Sequence, residues 1–89
     1  MTERPDAYYV TRLIGRVRLL IATSDEIPIE TKLETQPMLK ELEAALVAEA
    51  DGRDEERALA QYTFLRQQLD EYADVQALLL ALRNFVPFL

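Results

Sequence analysis

The sequence predicts an all-α fold: a small helical bundle of four main helices plus a short connecting helix. Three observations predict it. Apolar residues recur at helical spacing in four separate stretches. Ser, Asp, Gly and Pro fall between those stretches, where helices start and stop. No stretch shows the strict alternation of a half-buried strand. At 89 residues the chain makes one domain, residues 1–89.

The first helix is predicted over residues 6–22. Val10, Leu13, Ile14, Val17, Leu20 and Ile21 fill an arc of about 120° at 100° per residue. Asp6 is the candidate N-cap. A strand here would put Arg12, Arg16 and Arg18 on one face with Val10, Ile14 and Leu20, which excludes it. Gly15 weakens the helix by about 1 kcal/mol. Thr23, Ser24, Asp25 and Glu26 then end it.

Pro28 suits the first position of a short connecting helix over 27–36, with Ile29 and Leu33 one turn apart. Pro37 restarts the pattern. Over 37–51, Leu39, Leu42, Leu46 and Ala50 share one face, and Gly52 fits the position just past a helix C-terminus. Asp54 caps the next helix, whose first turn carries Glu55 and Glu56 at the positive end of the dipole.

From residue 55 onward the stripe changes phase. Leu59, Tyr62, Leu65 and Leu69 define one face; Val75, Leu78, Leu79, Leu82, Phe85 and Val86 define another, roughly 150° away on a continuous helix. The expectation is a break near Asp70–Asp74, with Asp74 as the next N-cap and Pro87 ending the last helix.

Composition excludes several function classes. The absence of Cys and His removes disulfides, thiolate nucleophiles, sulfur-based zinc sites and the usual near-neutral general base. Two glycines are too few for the common phosphate-cradling loops. Ser24 is the only serine and has no histidine to activate it. Tyr8, Tyr9, Tyr62 and Tyr72 belong to no recognisable catalytic constellation. The expected chain is therefore no enzyme and carries no cofactor and no metal.

Charge narrows the partners. The net charge is −6, divided as +2 over residues 1–22, −8 over 25–56 and 0 over 57–89. An acidic chain is a poor match for phosphate backbones, so nucleic acid is not the expected partner. No apolar run approaches the ~20 residues of a membrane span, and the N-terminal stretch lacks a signal-peptide core. The expectation is a cytoplasmic protein off the membrane.

The acidic stretch from Asp51 to Glu56 does not fit the spacing of a calcium loop, and helix-cap residues account for it. Glu30, Glu34 and Glu41 read as a solvated helix face rather than acid–base pairs. The residues without an obvious internal use are different ones. Leu19, Val47 and Phe64 each lie outside their helix's main stripe, and Tyr8 shares the off-face of Leu19. Arg12 and Arg16 stand one turn apart beside them. Exposed apolar residues on three helices point to a partner surface. Tyr8, Arg12, Arg16, Leu19, Val47 and Phe64 are thus the expected partner-binding residues. The apolar end, Phe85 to Leu89, is expected to pack back over the bundle.

The segment LIGRVRLLIATSDEI, with its Ser24-Asp25-Glu26 turn and the later break at Thr35-Gln36-Pro37, resembles the opening of the bacterial YlbF/YmcA regulatory family. The stretch from Leu69 through Gln76 to Phe85 is similar to that family's closing helix. Two departures stand out: the chain is short for the family, and Tyr72-Ala73-Asp74 replaces the usual Asn-Pro before the last helix. The resemblance implies an all-α bundle that associates with itself or its relatives, acting as a regulator or adaptor without catalytic residues.

Sequence and resemblance together give one functional expectation: a non-enzymatic protein–protein interaction module, a self-associating bacterial adaptor or regulator forming a homo-oligomer. The alternative is an acidic inhibitor, of the kind phages encode. Its −8 stretch would occupy the basic groove of a nucleic-acid-binding protein.

Overall fold

The computed structural model describes residues 5–47 and 55–89. The first helix, α1, runs Pro5–Thr23. The expected cap at Asp6 falls outside the described side chains. The stripe is as expected: Val10, Ile14, Val17 and Ile21 are buried, with Leu13 and Leu20 packed beside them. Thr23 Oγ1 donates to the Leu19 carbonyl, and the Ser24 hydroxyl accepts from the Glu26 amide, which turns the chain. Ile27 is buried within this connection and pins it to the core.

Gly15 sits in the exposed middle of α1, and a Cβ built there would meet nothing within 4 Å. Gly15→Ala is therefore expected to raise stability by about 1 kcal/mol. A rise in Tm of roughly 4–8 °C should report it.

The second helix, α2, runs Ile29–Val47 without interruption. This corrects the expected division into a short connecting helix and a new helix at Pro37. Proline removes only one helical hydrogen bond, the one its N–H would give to the carbonyl of residue 33. Pro37 and Leu33 are both exposed, so water is available to that carbonyl. Leu39, Leu42 and Leu46, all fully buried, hold the second half in place. Tertiary packing overrides the local break. The Pro28 carbonyl accepts from the Lys32 amide, starting the helix one residue past the proline.

The third helix, α3, runs Glu55–Gln68, and the fourth, α4, runs Ala73–Ala81, followed by a single 3-10 turn at Leu82–Asn84. The break between α3 and α4 falls where the stripe changes phase. Its cap differs from expectation. Tyr72 occupies the N-cap position without a side-chain cap, and Asp74 lies in the first turn. Gln76 does the closing instead: its Nε2 donates to the Arg66 and Leu69 carbonyls at 3.0 Å each, satisfying the end of α3. Ala50, Gly52 and Asp54 lie outside the described residues.

The packing order is α1 against α2 and α4, and α2 against α3. Ala58, Tyr62 and Leu65 form the buried side of α3, and Leu69 continues it just past the helix; Leu59, expected there, is exposed because Ala58 takes the inward position. Val75, Leu79, Leu82 and Val86 complete the core from α4 and beyond. The C-terminal residues do pack back. Phe85, Phe88 and Leu89 lie against the core, and Phe85 stacks on Tyr9 at 5.0 Å between ring centres. Pro87 falls after the helical segment has ended at Asn84.

Tyr62 ties α3 to α4. Its buried hydroxyl donates to the Leu79 carbonyl. Burial pushes its pKa above the ordinary value of 10.0, against the opposing pull of Arg66 and Arg83. A raised folded-state pKa means that the protonated hydroxyl stabilises the fold below pH 10.0. That contribution is lost as pH rises through the higher folded value. Urea midpoints measured against pH should therefore fall above about pH 10, and Tyr62→Phe should flatten that fall.

Candidate interaction surface

Two partly buried Arg–Gln brackets lock the helices in register. Arg18 Nε donates to Gln36 Oε1, and Gln36 Nε2 returns to the Arg18 carbonyl, both at 2.9 Å. Arg66 and Gln76 repeat the arrangement between α3 and α4. Lys32 Nζ reaches the Ala22 carbonyl at 3.2 Å, satisfying an open C-terminal group of α1. These pairs show that α1 and α2 run antiparallel, with residue 22 level with 32 and 18 with 36.

Above the Arg18–Gln36 bracket lies an open groove. Gly15, Leu19 and Ala22 form its α1 wall; Ile29, Leu33 and Pro37 form its α2 wall. Leu19 is 64% exposed, Ile29 61% and Leu33 71%. Those three are the most exposed large hydrophobic residues described, and they share one groove. Isolated exposed leucines are ordinary, whereas large aliphatic side chains gathered on one groove form a shared exposed patch. Ile29 and Leu33, expected one turn apart on a short connecting helix, lie instead in the first turns of α2. With α2 continuous, the buried face is instead set by Thr35, Leu39, Leu42 and Leu46, and residues 29 and 33 turn outward. Thr35 is fully buried and donates its hydroxyl to the Thr31 carbonyl, so no polar group is left open there.

The other expected residues divide. Tyr8 is 57% exposed and Val47 37%. At 100° per residue, Tyr8, Arg12, Gly15, Leu19 and Ala22 fall within an arc of about 80° on α1. Leu33, Pro37, Lys40, Ala44 and Val47 do the same on α2. Beyond the groove, the same outward arc runs on along both helices. Arg12 donates to the Tyr8 hydroxyl at 2.9 Å and lies 5.6 Å from the centre of its ring. Arg16 is exposed beside it. Phe64 stands apart: it is partly buried on α3 and does not line the groove.

A second cavity lies between the α1–α2 connection and the α3–α4 turn, with Glu26, Glu71 and Asp74 on its rim and Leu20, Ile27 and Val75 at its base. Among the described residues, no three Asp, Glu, His or Cys side chains are grouped to hold a metal ion. No described helix is long and apolar enough to cross a membrane. No family model matches the chain, and the searches of curated proteins and of solved structures return no match to it.

Proposed function

We propose that this chain is a non-enzymatic protein–protein interaction module, a self-associating adaptor or regulator, and that α1 and α2 present its contact face. The observation that carries the proposal is the clustering of Leu19, Ile29 and Leu33 around one groove. Leaving three large aliphatic side chains in water forgoes about 1.5–3 kcal/mol of burial for each. A partner recovers that energy. The adaptor role implied by the resemblance to the YlbF/YmcA family is of the same kind.

Leu19→Asp together with Leu33→Asp tests this proposal. Both residues are exposed, so the helical circular dichroism and the urea midpoint are expected to stay within about 0.5 kcal/mol of the parent. Binding partners, including further copies of the chain, should be retained on an immobilised parent column and lost on the variant column. Equal retention on both columns would contradict an α1–α2 contact face. Salt separates the alternative: binding through an apolar groove should change little with ionic strength, whereas an acidic inhibitor of a basic groove weakens steeply.

A further inference from the structure

We infer that the occupant of the α1–α2 face is a second copy of this chain, related by a two-fold axis that runs along the groove. The inference rests on the self-association proposed above and adds its symmetry axis and register. Charge carries it. Moving outward from the Arg18–Gln36 bracket, the surface of α1 passes Gly15 and Leu19 and then reaches Arg12 and Arg16. Moving outward from the same bracket on α2, it passes Leu33 and Pro37 and then reaches Glu30 and Glu34, with Glu41, which lies 3.6 Å from Arg57 and accepts from Gln61, beside them. All five charged residues are exposed. The groove thus has apolar walls over a floor of Arg18, Lys32 and Gln36, each engaged within the chain, and the face around it is basic along one flank and acidic along the other.

A two-fold axis along the groove lays the basic flank of each copy on the acidic flank of the other. An axis across the groove would set α1 against α1 and bring Arg12 and Arg16 of the two copies onto one side, like against like. The levels follow from the two interhelical pairs, in which the residue numbers sum to 54. The axis along the groove preserves those levels. Leu19 then faces the partner's Leu33 and Pro37. Arg12 and Arg16 fall along the stretch from the partner's Glu34 to the partner's Glu41. Tyr8 lies level with the partner's Val47. Lys40, the cation within the outward face of α2, lies level with the partner's Gly15, where no side chain stands in its way.

Area sets the strength. Each of these helices has 19 residues, which gives a length of about 28 Å at 1.5 Å per residue. Two helices with axes ~9 Å apart offer a face of roughly 500 Å² per copy, or about 1,000 Å² in total, the low end for a specific interface. The dimer should therefore form reversibly and come apart on dilution.

Two experiments test this geometry. Arg16→Glu and Glu34→Arg are each expected to weaken dimerisation at least about tenfold, read by light scattering across a dilution series. The double variant, with the charges exchanged, should return to within about threefold of the parent. Because the chain has no native cysteine, Leu19→Cys chains can be mixed with Leu33→Cys chains under mild oxidation. Disulfide-linked mixed dimers should exceed either homodimer by well over the roughly twofold excess that random pairing of equal amounts gives. A parent that stays monomeric up to ~1 mM, where association weaker than about −4 kcal/mol would lie, would overturn this inference, while the column experiment separately decides the interaction reading. Failure of the charge exchange to restore association, or a dominant disulfide between two Leu19→Cys chains, would overturn the proposed axis.

Discussion

Tyr62→Ala is expected to lower the unfolding free energy by about 3–5 kcal/mol. A domain of this length has roughly 4–13 kcal/mol in all, so the loss is a large fraction of its stability. Tyr62 heads the fully buried side chains by volume, and its hydroxyl joins α3 to α4 beside the Arg66–Gln76 bracket. Truncation removes its ring from among Ala58, Leu65, Leu79 and their neighbours and leaves a void. Tyr62→Phe separates the ring from the hydroxyl. It should cost only about 1 kcal/mol, because the Leu79 carbonyl also accepts a backbone N–H at the end of α4. Urea denaturation followed by circular dichroism measures both. An alanine variant within ~1 kcal/mol of the parent would mean that α3 is held by other contacts.

Pro37→Ala is expected to act in the opposite direction, stabilising the chain by about 2–2.6 kcal/mol. Proline in a helix interior costs about 3 kcal/mol relative to alanine. Part of that is offset because proline also restricts the unfolded chain, by about 0.4–1 kcal/mol. Pro37 is exposed, so the substitution removes nothing from the core. The readout is a Tm higher by roughly 4–8 °C per kcal/mol. A lower Tm would show that the proline shapes α2 so that Leu39 and Leu42 reach the core.

The buried face of α1 could be read directly from its sequence because four of its apolar positions repeat at helical spacing and all four are inward. The same logic worked for Leu39, Leu42 and Leu46, and for the phase change between Tyr62 and Val75. It failed at Pro37, where a local breaker was outweighed by packing on both sides of it. That single error also hid the groove: once α2 is continuous, Ile29 and Leu33 must turn outward. Leu19, Tyr8 and Val47 were legible as exposed because each lies off its helix's stripe. Phe64 satisfied the same criterion, but it belongs to α3 and lies off the groove. Only the packing of α1 on α2 shows which off-stripe residues share a surface. Gln36 and Gln76 gave no sequence signal, since a bracketing glutamine reads like any polar helix residue until its partner is known.

The most direct test of an α1–α2 contact face is mass in solution. Light scattering of the parent chain across a dilution series should show a dimer that dissociates as concentration falls. Leu19→Asp combined with Leu33→Asp should be a folded monomer throughout. A parent and variant with the same mass at every concentration, both fully helical, would contradict self-association through this face.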